Sequence, residues 1–311
     1  MEKKVKGNRV FLIGAAKCGT TTVDQMLRQH PQVFMSPIKE PNYFSTDINP
    51  AKFRPLYKEQ SLHDLEAYFK ESPLPELHLD FVREARHYEL LFAGANGAAW
   101  LGESSTSYLV SEEAPQNIAG TFPDAKYVVC LRNPVHRLIS HLKMALQGGN
   151  VSEVSDEMIE VDWSRPDAAW GVSEMFLELG LYGQQLERWF GHVPKEQFHI
   201  VFFEDLIDNQ QKVFEDLCAF LNVSIFALES TVHANASGVP RFPKLNAYLK
   251  GSKRVKGLKD KMPEKWVNRI KAQWHDDSAE IDIDETRWRA FYKEDIEKLE
   301  SLLSRSLEHW K

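Results

Sequence analysis

Three short apolar runs, each followed by a helix-like segment, constrain the fold of this 311-residue chain more than any other feature of its sequence. The runs cover residues 10–13, 127–131 and 198–203, and none of them alternates between apolar and polar side chains. A strand that lacks this alternation is buried on both faces, which is typical of parallel sheets covered by helices. The pattern predicts an α/β fold of three layers, with a central parallel sheet and helices on both faces.

The segments after the first two runs have helical spacing and helix signals. Val23, Met26 and Leu27 fall on one face of a helix after the first run. After the second run, Asn133 can cap a helix whose first turn suits Pro134. Each unit therefore reads as strand, loop and helix.

The chain carries no internal repeat and no long Pro/Gly linker, so we expect a single domain over residues 1–311. Residues 47–89 and 151–180 interrupt the strand and helix units and predict helical or irregular insertions. Residues 285–310 place large apolar side chains at helical spacing and predict a long helical tail.

Charge and cysteine usage exclude several protein classes. A formal net charge of −7 argues against a nucleic-acid partner, because such binders neutralise phosphates with clustered Lys and Arg. No stretch approaches the roughly 20 apolar residues that span a bilayer, and residues 1–9 do not lead into a signal peptide. We expect a cytoplasmic chain without a membrane span. Cys18, Cys130 and Cys218 are far apart and odd in number, which favours reduced, buried thiols over disulfides or a metal site.

Residues 14–22, with the sequence GAAKCGTTT, connect the first strand to its helix. Free N–H groups at a helix start, together with the helix dipole, bind anions, and Lys17 adds a full positive charge. Lys17 precedes the second glycine by two positions, so the loop lacks the Walker A order. We predict a P-loop-like phosphate site built from Lys17, Cys18, Gly19, Thr20, Thr21 and Thr22.

Arg132 marks a second anion site, because it ends a strand where a helix begins and ligands bind at the carboxyl ends of parallel strands. Its guanidinium can grip a phosphate with two hydrogen bonds, and Ser140, two turns along the helix, can donate one more. Arg137 and His141 share that helix, and we expect solvated or structural roles for them.

Four motifs in this order resemble those of the sulfotransferases that use 3′-phosphoadenosine-5′-phosphosulfate (PAPS). The branch resembled includes the heparan sulfate sulfotransferases and many bacterial relatives. The motifs are the loop at 14–22, KEPNYF at 39–44, CLRNPVHRLIS at 130–140, and the late segment at 181–223.

The resemblance implies transfer of a sulfonyl group from PAPS to a hydroxyl or amine. The acceptor that it favours is a carbohydrate or glycoconjugate, and glycolipids and small alcohols are the less favoured alternatives. Glu40 would be the general base and Lys17 would stabilise the leaving phosphate, without a metal ion. Arg132, Ser140 and Arg241 would bind the 3′-phosphate, and Lys244 beside Arg241 gives a weaker signal.

The chain departs from the family pattern at two positions. Ser104 stands where heparan-modifying relatives often have Lys, and Asn42 stands where His is frequent. The resemblance therefore predicts neither a second active-site lysine at position 104 nor an imidazole helper at position 42. Glu103 and His141 are the alternative bases.

Two other classes stay open. A nucleotide-dependent small-molecule kinase would use a similar strand, loop and helix, but with Walker spacing and a carboxylate for Mg²⁺. A non-catalytic nucleotide- or sugar-binding protein could keep the same fold. Tyr43, Phe44, Tyr108, Trp163 and Trp170 could stack on a sugar ring or fill the core.

Overall fold

The computed structural model describes residues 7–228, 239–240, 242–251, 275–276 and 280–311. Five parallel strands form the central sheet, in the order β2-β5-β1-β6-β7. Strands β3 and β4 form a separate parallel pair, and β8 and β9 form an antiparallel pair. The strands are β1 (Asn8–Gly14), β2 (Val33–Met35), β3 (Ile38–Glu40), β4 (Leu77–Leu79), β5 (Trp100–Ser104), β6 (Lys126–Leu131), β7 (Phe198–Phe202), β8 (Val239–Pro240) and β9 (His275–Asp276).

The central strands are buried on both faces. Every residue of β5 is buried, and so is every residue of β1 after Asn8 and of β6 after Lys126. Because successive side chains of a strand point to opposite faces, burial of all of them requires cover on both sides. The predicted α/β fold with a central parallel sheet is confirmed.

Helices connect and cover the strands. The prediction for the helix after β6 is confirmed, because it begins at Pro134 and the Asn133 side chain accepts hydrogen bonds from Val135 N at 3.0 Å and His136 N at 3.2 Å. The α-helices are α1 (Thr20–Arg28), α2 (Pro55–Ser61), α3 (Leu65–Tyr68), α4 (Ala85–Leu90), α5 (Ser107–Val110), α6 (Ala114–Thr121), α7 (Pro134–Gly148), α8 (Asp156–Trp163), α9 (Tyr182–Phe190), α10 (Phe203–Asp208), α11 (Gln210–Leu221), α12 (Pro243–Gly251) and α13 (Glu285–Leu303). Within the described residues, 3-10 helices lie at Pro50–Lys52, Glu178–Gly180, Lys195–Gln197 and Glu308–Trp310.

The segment at 47–89 is more than a helical insertion, because it contains β4, which pairs with β3 through Ile38 opposite Leu77 and Glu40 opposite Leu79. In the tail, α13 ends at Leu303 and the 3-10 helix at Glu308–Trp310 follows. Helix α13 packs on α9, where the Asp295 carboxylate accepts hydrogen bonds from the first turn of α9.

All three cysteines are free and buried. Among the described helices, none has both the length and the apolar character that crossing a bilayer requires.

Candidate active site

The loop between β1 and α1 depends on a left-handed backbone. Gly19 has φ 90°, and a Cβ atom there would lie 2.6 Å from Leu206 Cδ2, so no larger residue fits without a shift. Lys17 also has a positive φ, of 69°. This conformation turns the chain sharply from the strand into the helix.

Several N–H groups of this loop have no acceptor. In the part of the chain that the structure describes, nothing accepts from the backbone N–H groups of Lys17, Gly19, Thr20 or Thr21. They lie at the start of a nine-residue helix, where the dipole also favours negative charge. The loop therefore offers unpaired donors to an anion.

Cys18 lies beneath the loop instead of facing the ligand space. Its N–H donates to Ala15 O at 3.3 Å, and its thiol lies 3.3 Å from Tyr182 Oη. Burial raises the pKa of the Cys18 thiol to about 11, so the thiol stays neutral. Its position is that of a structural residue of the loop.

A cavity of about 630 Å³ opens at the carboxyl ends of β1 and β6. Most of the predicted site residues line it, and residues of the two insertions form its opposite wall. Predicted residues at the cavity are Lys17, Gly19, Thr20, Thr21, Thr22, Glu40, Arg132, Ser140 and His141. Cavity residues that were not predicted as site residues include Lys39, Arg54, Tyr57, His78, Thr106, Gln147 and Glu174.

Two cations lie at the loop side of the cavity. Arg132 Nη1 donates to Lys17 O at 3.4 Å, and the Arg132 guanidinium stacks 4.2 Å above the Phe203 ring. Burial and the charge of Arg132 lower the pKa of Lys17, and burial lowers that of Arg132. An anion bound there would relieve the repulsion between the two cations.

Glu40 ends β3 and lies 8 % exposed at the cavity. Its Oε1 is 3.0 Å from Lys39 Nζ, and its Oε2 accepts a hydrogen bond from Thr106 Oγ1 at 2.9 Å. Burial alone would raise the pKa of Glu40, but the Lys39 ammonium and these hydrogen bonds outweigh it and hold the pKa below its usual value. Glu40 is therefore ionised at neutral pH.

Asn42 holds the backbone beside Glu40. Its side-chain amide donates to Glu40 O at 2.8 Å and to Asp80 O at 2.9 Å, and its Oδ1 accepts from Ser107 Oγ at 2.5 Å. Asn42 therefore fixes the end of β3 against the residue after β4. The imidazole that is near Glu40 belongs to His78 on β4, and its charge contributes to lowering the pKa of Glu40.

Glu103, one of the alternative bases, does not line the cavity. Its carboxylate accepts hydrogen bonds from Tyr88 Oη at 2.8 Å, Tyr108 Oη at 3.0 Å and Ser105 Oγ at 3.2 Å. The neighbouring Ser104 is buried within β5.

His141, the other alternative base, lines the cavity with its ring 4 % exposed. Its Nδ1 lies 3.3 Å from Arg137 Nη1, and its Nε2 lies 3.8 Å from Glu174 Oε2. Burial and the charge of Arg137 hold the pKa of His141 well below its usual value. Arg137 itself is fully buried and donates to Phe176 O, which is a structural role.

The remaining predicted residues separate into three groups. Of the five aromatic residues, only Trp170 lines the cavity; Tyr43, Phe44 and Tyr108 pack in or against the core, and Trp163 lies half-exposed on α8. Lys244 is exposed and pairs with Glu153 at 2.9 Å, outside the cavity. Arg241 lies outside the described residues, and so do residues 252–261, five of which are Lys or Arg.

Comparison with known proteins decides the family. Residues 9–227 match the sulfotransferase family over more than half of the chain. This chain belongs to the sulfotransferase family. The resemblance read from the sequence motifs is thereby confirmed.

Mammalian and bacterial members of the sulfotransferase family resemble the chain. It is 25 % identical to mouse carbohydrate sulfotransferase 15 over 244 residues, covering 68 % of this chain and 43 % of that protein. It is 25 % identical to mouse heparan sulfate glucosamine 3-O-sulfotransferase 5 over 232 residues, covering 74 % of this chain and 57 % of that protein. The chain thus spans about half the length of these relatives. A sulfotransferase structure from Alicyclobacillus acidocaldarius shares the fold, with a TM-score of 0.66 and 24 % identity over 98 % of this chain and 99 % of that one.

Proposed function

We propose that this chain transfers a sulfonyl group from PAPS to a hydroxyl group of a carbohydrate or glycoconjugate acceptor. The observation that carries the proposal is that one cavity joins the loop cations Lys17 and Arg132 to the ionised carboxylate of Glu40. Family membership and the carbohydrate-modifying relatives support the same reaction class.

The hydrogen-bond donors on the loop side of the cavity support PAPS as the sulfonyl donor. The unpaired N–H groups at the start of α1 suit the 5′-phosphosulfate, and Lys17 supplies a charge beside them. Arg132 and Ser140 line the same side and suit the 3′-phosphate, because a guanidinium and a hydroxyl both donate to phosphate oxygens.

The chemistry needs a base, a leaving-group cation and an in-line arrangement. The acceptor oxygen would form a bond to sulfur as the bond between sulfur and the 5′-phosphate oxygen breaks. The proton of the acceptor hydroxyl would pass to Glu40, which is held ionised by Lys39. Lys17 would neutralise the charge that develops on the phosphate of the departing adenosine 3′,5′-bisphosphate (PAP).

Release of PAP tests the reaction against the kinase alternative. We expect the purified chain to release PAP from PAPS in the presence of a carbohydrate acceptor, both with and without EDTA. ATP with Mg²⁺ should give no phosphorylated acceptor. Strict loss of PAP release in EDTA would contradict the metal-independent mechanism, and PAP binding without turnover would indicate a non-catalytic binding protein.

The substitution Arg132→Ala tests the donor assignment. Loss of a charge-assisted contact should weaken PAP binding by roughly 10- to 100-fold, while binding of adenosine 5′-phosphate, which lacks the 3′-phosphate, changes little. Calorimetric titration of both nucleotides measures this difference. Arg165→Ala, at an exposed arginine paired with Asp167, is the control. Equal losses for the two nucleotides would show that Arg132 does not bind the 3′-phosphate.

A further inference from the structure

The Lys and Arg side chains around the cavity either belong to the proposed donor site or form ion pairs within the protein. Four Lys or Arg residues line it among the residues that the structure describes. Lys17 and Arg132 belong to the loop side and face the donor anion. Lys39 pairs with Glu40 at 3.0 Å, and the Arg54 guanidinium forms an ion pair with Glu174.

We call the part of the cavity opposite the phosphate loop, lined by residues of the two insertions and of α7, the acceptor wall. Its imidazoles add no unpaired charge. Burial and Arg137 hold His141 neutral, and His63 lies 2.9 Å from the buried Asp80 carboxylate. His78 on β4 is exposed and interacts electrostatically with the Glu40 carboxylate. In the described part of this wall, each Lys, Arg or His side chain therefore already lies beside a carboxylate of the protein, and none is left to pair with an acceptor anion.

The same wall offers an aromatic surface and neutral amides. Trp170 is half-buried, and its Nε1 donates to Tyr57 Oη at 2.7 Å, which fixes the indole at the cavity. The side-chain amides of Gln60 and Gln147 line the cavity and have no hydrogen-bond partner among the described residues. A fixed aromatic face and free amides suit a ring that carries hydroxyl groups.

We propose that the acceptor is an uncharged sugar, and that Trp170 and the Arg54–Glu174 ion pair determine this specificity. The inference rests on the proposed sulfotransferase function. A carboxylate or sulfate on the acceptor would lose water without gaining a counter-charge from the described residues, and it would lie near the ionised Glu40. A neutral sugar avoids both penalties and can stack on the indole.

Matched glycosides test the charge preference. The probes are para-nitrophenyl glycosides of glucose, galactose and N-acetylglucosamine, the glucuronide and galacturonide that differ by a C6 carboxylate, and heparan sulfate. With PAP release as the readout, we expect kcat/KM to be at least about 10-fold higher for a neutral glycoside than for its uronide. Equal or better transfer to a uronide or to heparan sulfate would overturn the inference. Transfer to phenols or alcohols but to none of these glycosides would also overturn it.

Substitutions at Trp170 and Glu174 test whether these residues determine the specificity. Trp170→Ala should raise the KM for the neutral glycoside by about 10-fold with PAP affinity unchanged, whereas Trp170→Phe should retain most of the stacking. Trp163→Ala, at the half-exposed tryptophan of α8, is the matched control. Glu174→Gln frees the Arg54 guanidinium and should reduce discrimination against the uronide by about 10-fold. Unchanged KM in Trp170→Ala and unchanged discrimination in Glu174→Gln would overturn the residue assignment.

PAP titration separates this inference from the proposed function. If PAP binds and PAPS is turned over, but the sugar preference is absent, only the inference fails. If PAP does not bind and no acceptor supports PAPS turnover, the proposed function itself fails.

Discussion

Glu40 and Glu103 are both buried carboxylates, yet their ionisation differs. At the end of β3, Glu40 faces the cavity and pairs with Lys39, and its pKa lies below the usual value. Within β5, Glu103 is 1 % exposed, and burial raises its pKa to about 7 despite the hydroxyl groups that donate to it. The partner's charge, and not the depth of burial, decides which carboxylate is available as a base at neutral pH.

The surroundings of the two carboxylates also differ. Three hydroxyl groups surround Glu103 in the core, away from the cavity, so it can join β5 to α4 and α5 without facing an acceptor. Among the described residues, Glu40 accepts a hydrogen bond from one hydroxyl group, that of Thr106, and forms an ion pair with Lys39, and it lines the cavity.

The largest expected effect is on Glu40. Glu40→Gln keeps the shape of the side chain but cannot accept a proton, so kcat should fall by roughly 10²- to 10⁴-fold. PAP affinity should change little, because the carboxylate would face the acceptor. PAP release, PAP titration and the melting temperature, measured on the same variant, check this. Glu103→Gln is the matched control, and a larger loss of kcat in Glu103→Gln than in Glu40→Gln would reverse the assignment.

Lys39→Met should make the ionisation of Glu40 resemble that of Glu103. Without the ammonium, burial dominates, and the pKa of Glu40 should rise. The acid limb of the pH–rate profile should move to higher pH by the same amount, so that part of the lost activity returns at alkaline pH. Lys244→Met, at an exposed lysine outside the cavity, provides the control. A uniform loss of rate at every pH would mean that Lys39 does not act through the ionisation of Glu40.

Glu103→Gln should have the smallest effect on rate and a measurable effect on stability. The folded state binds the Glu103 proton more tightly than the unfolded state, whose pKa is near 4.5, so stability is lost as pH rises from that value through about 7. The variant lacks this penalty, and the stability of the wild type should fall relative to it by on the order of 2–3 kcal/mol between pH 4 and pH 8. Denaturant unfolding at the two pH values measures the difference. Parallel stability changes in both proteins would show that Glu103 ionises normally in the fold.

The sequence predicted the fold, and it predicted residues that line the loop side of the cavity, because both depend on local patterns. Unbroken apolar runs identify strands buried on two faces, and β1 and β6 extend beyond the predicted runs by a few residues only. The glycines and Lys17 in one loop, and Arg132 at a strand end, identified the residues that line one side of the cavity.

The acceptor wall depends on contacts that no sequence pattern predicts. Consecutive residues of a regular strand point to opposite faces, so nothing indicated that the Lys39 and Glu40 side chains would meet at the end of β3. His78 became a neighbour of Glu40 because β4 pairs with β3, and that pairing joins residues that are 39 positions apart in the sequence. The ion pair between Arg54 and Glu174 likewise joins the two insertions.

The β3–β4 pair has a consequence for the local stability of the cavity around Glu40. Glu40 is carried by two three-residue strands outside the five-stranded sheet, and every residue of β4 is at least partly exposed. Segments with shallow burial unfold locally at a lower free energy than the core does. Amide hydrogens of β3 and β4 should therefore exchange with solvent deuterium before those of β1 and β6. A bound acceptor, by contacting both the wall and Glu40, would slow that exchange while leaving the central sheet unchanged.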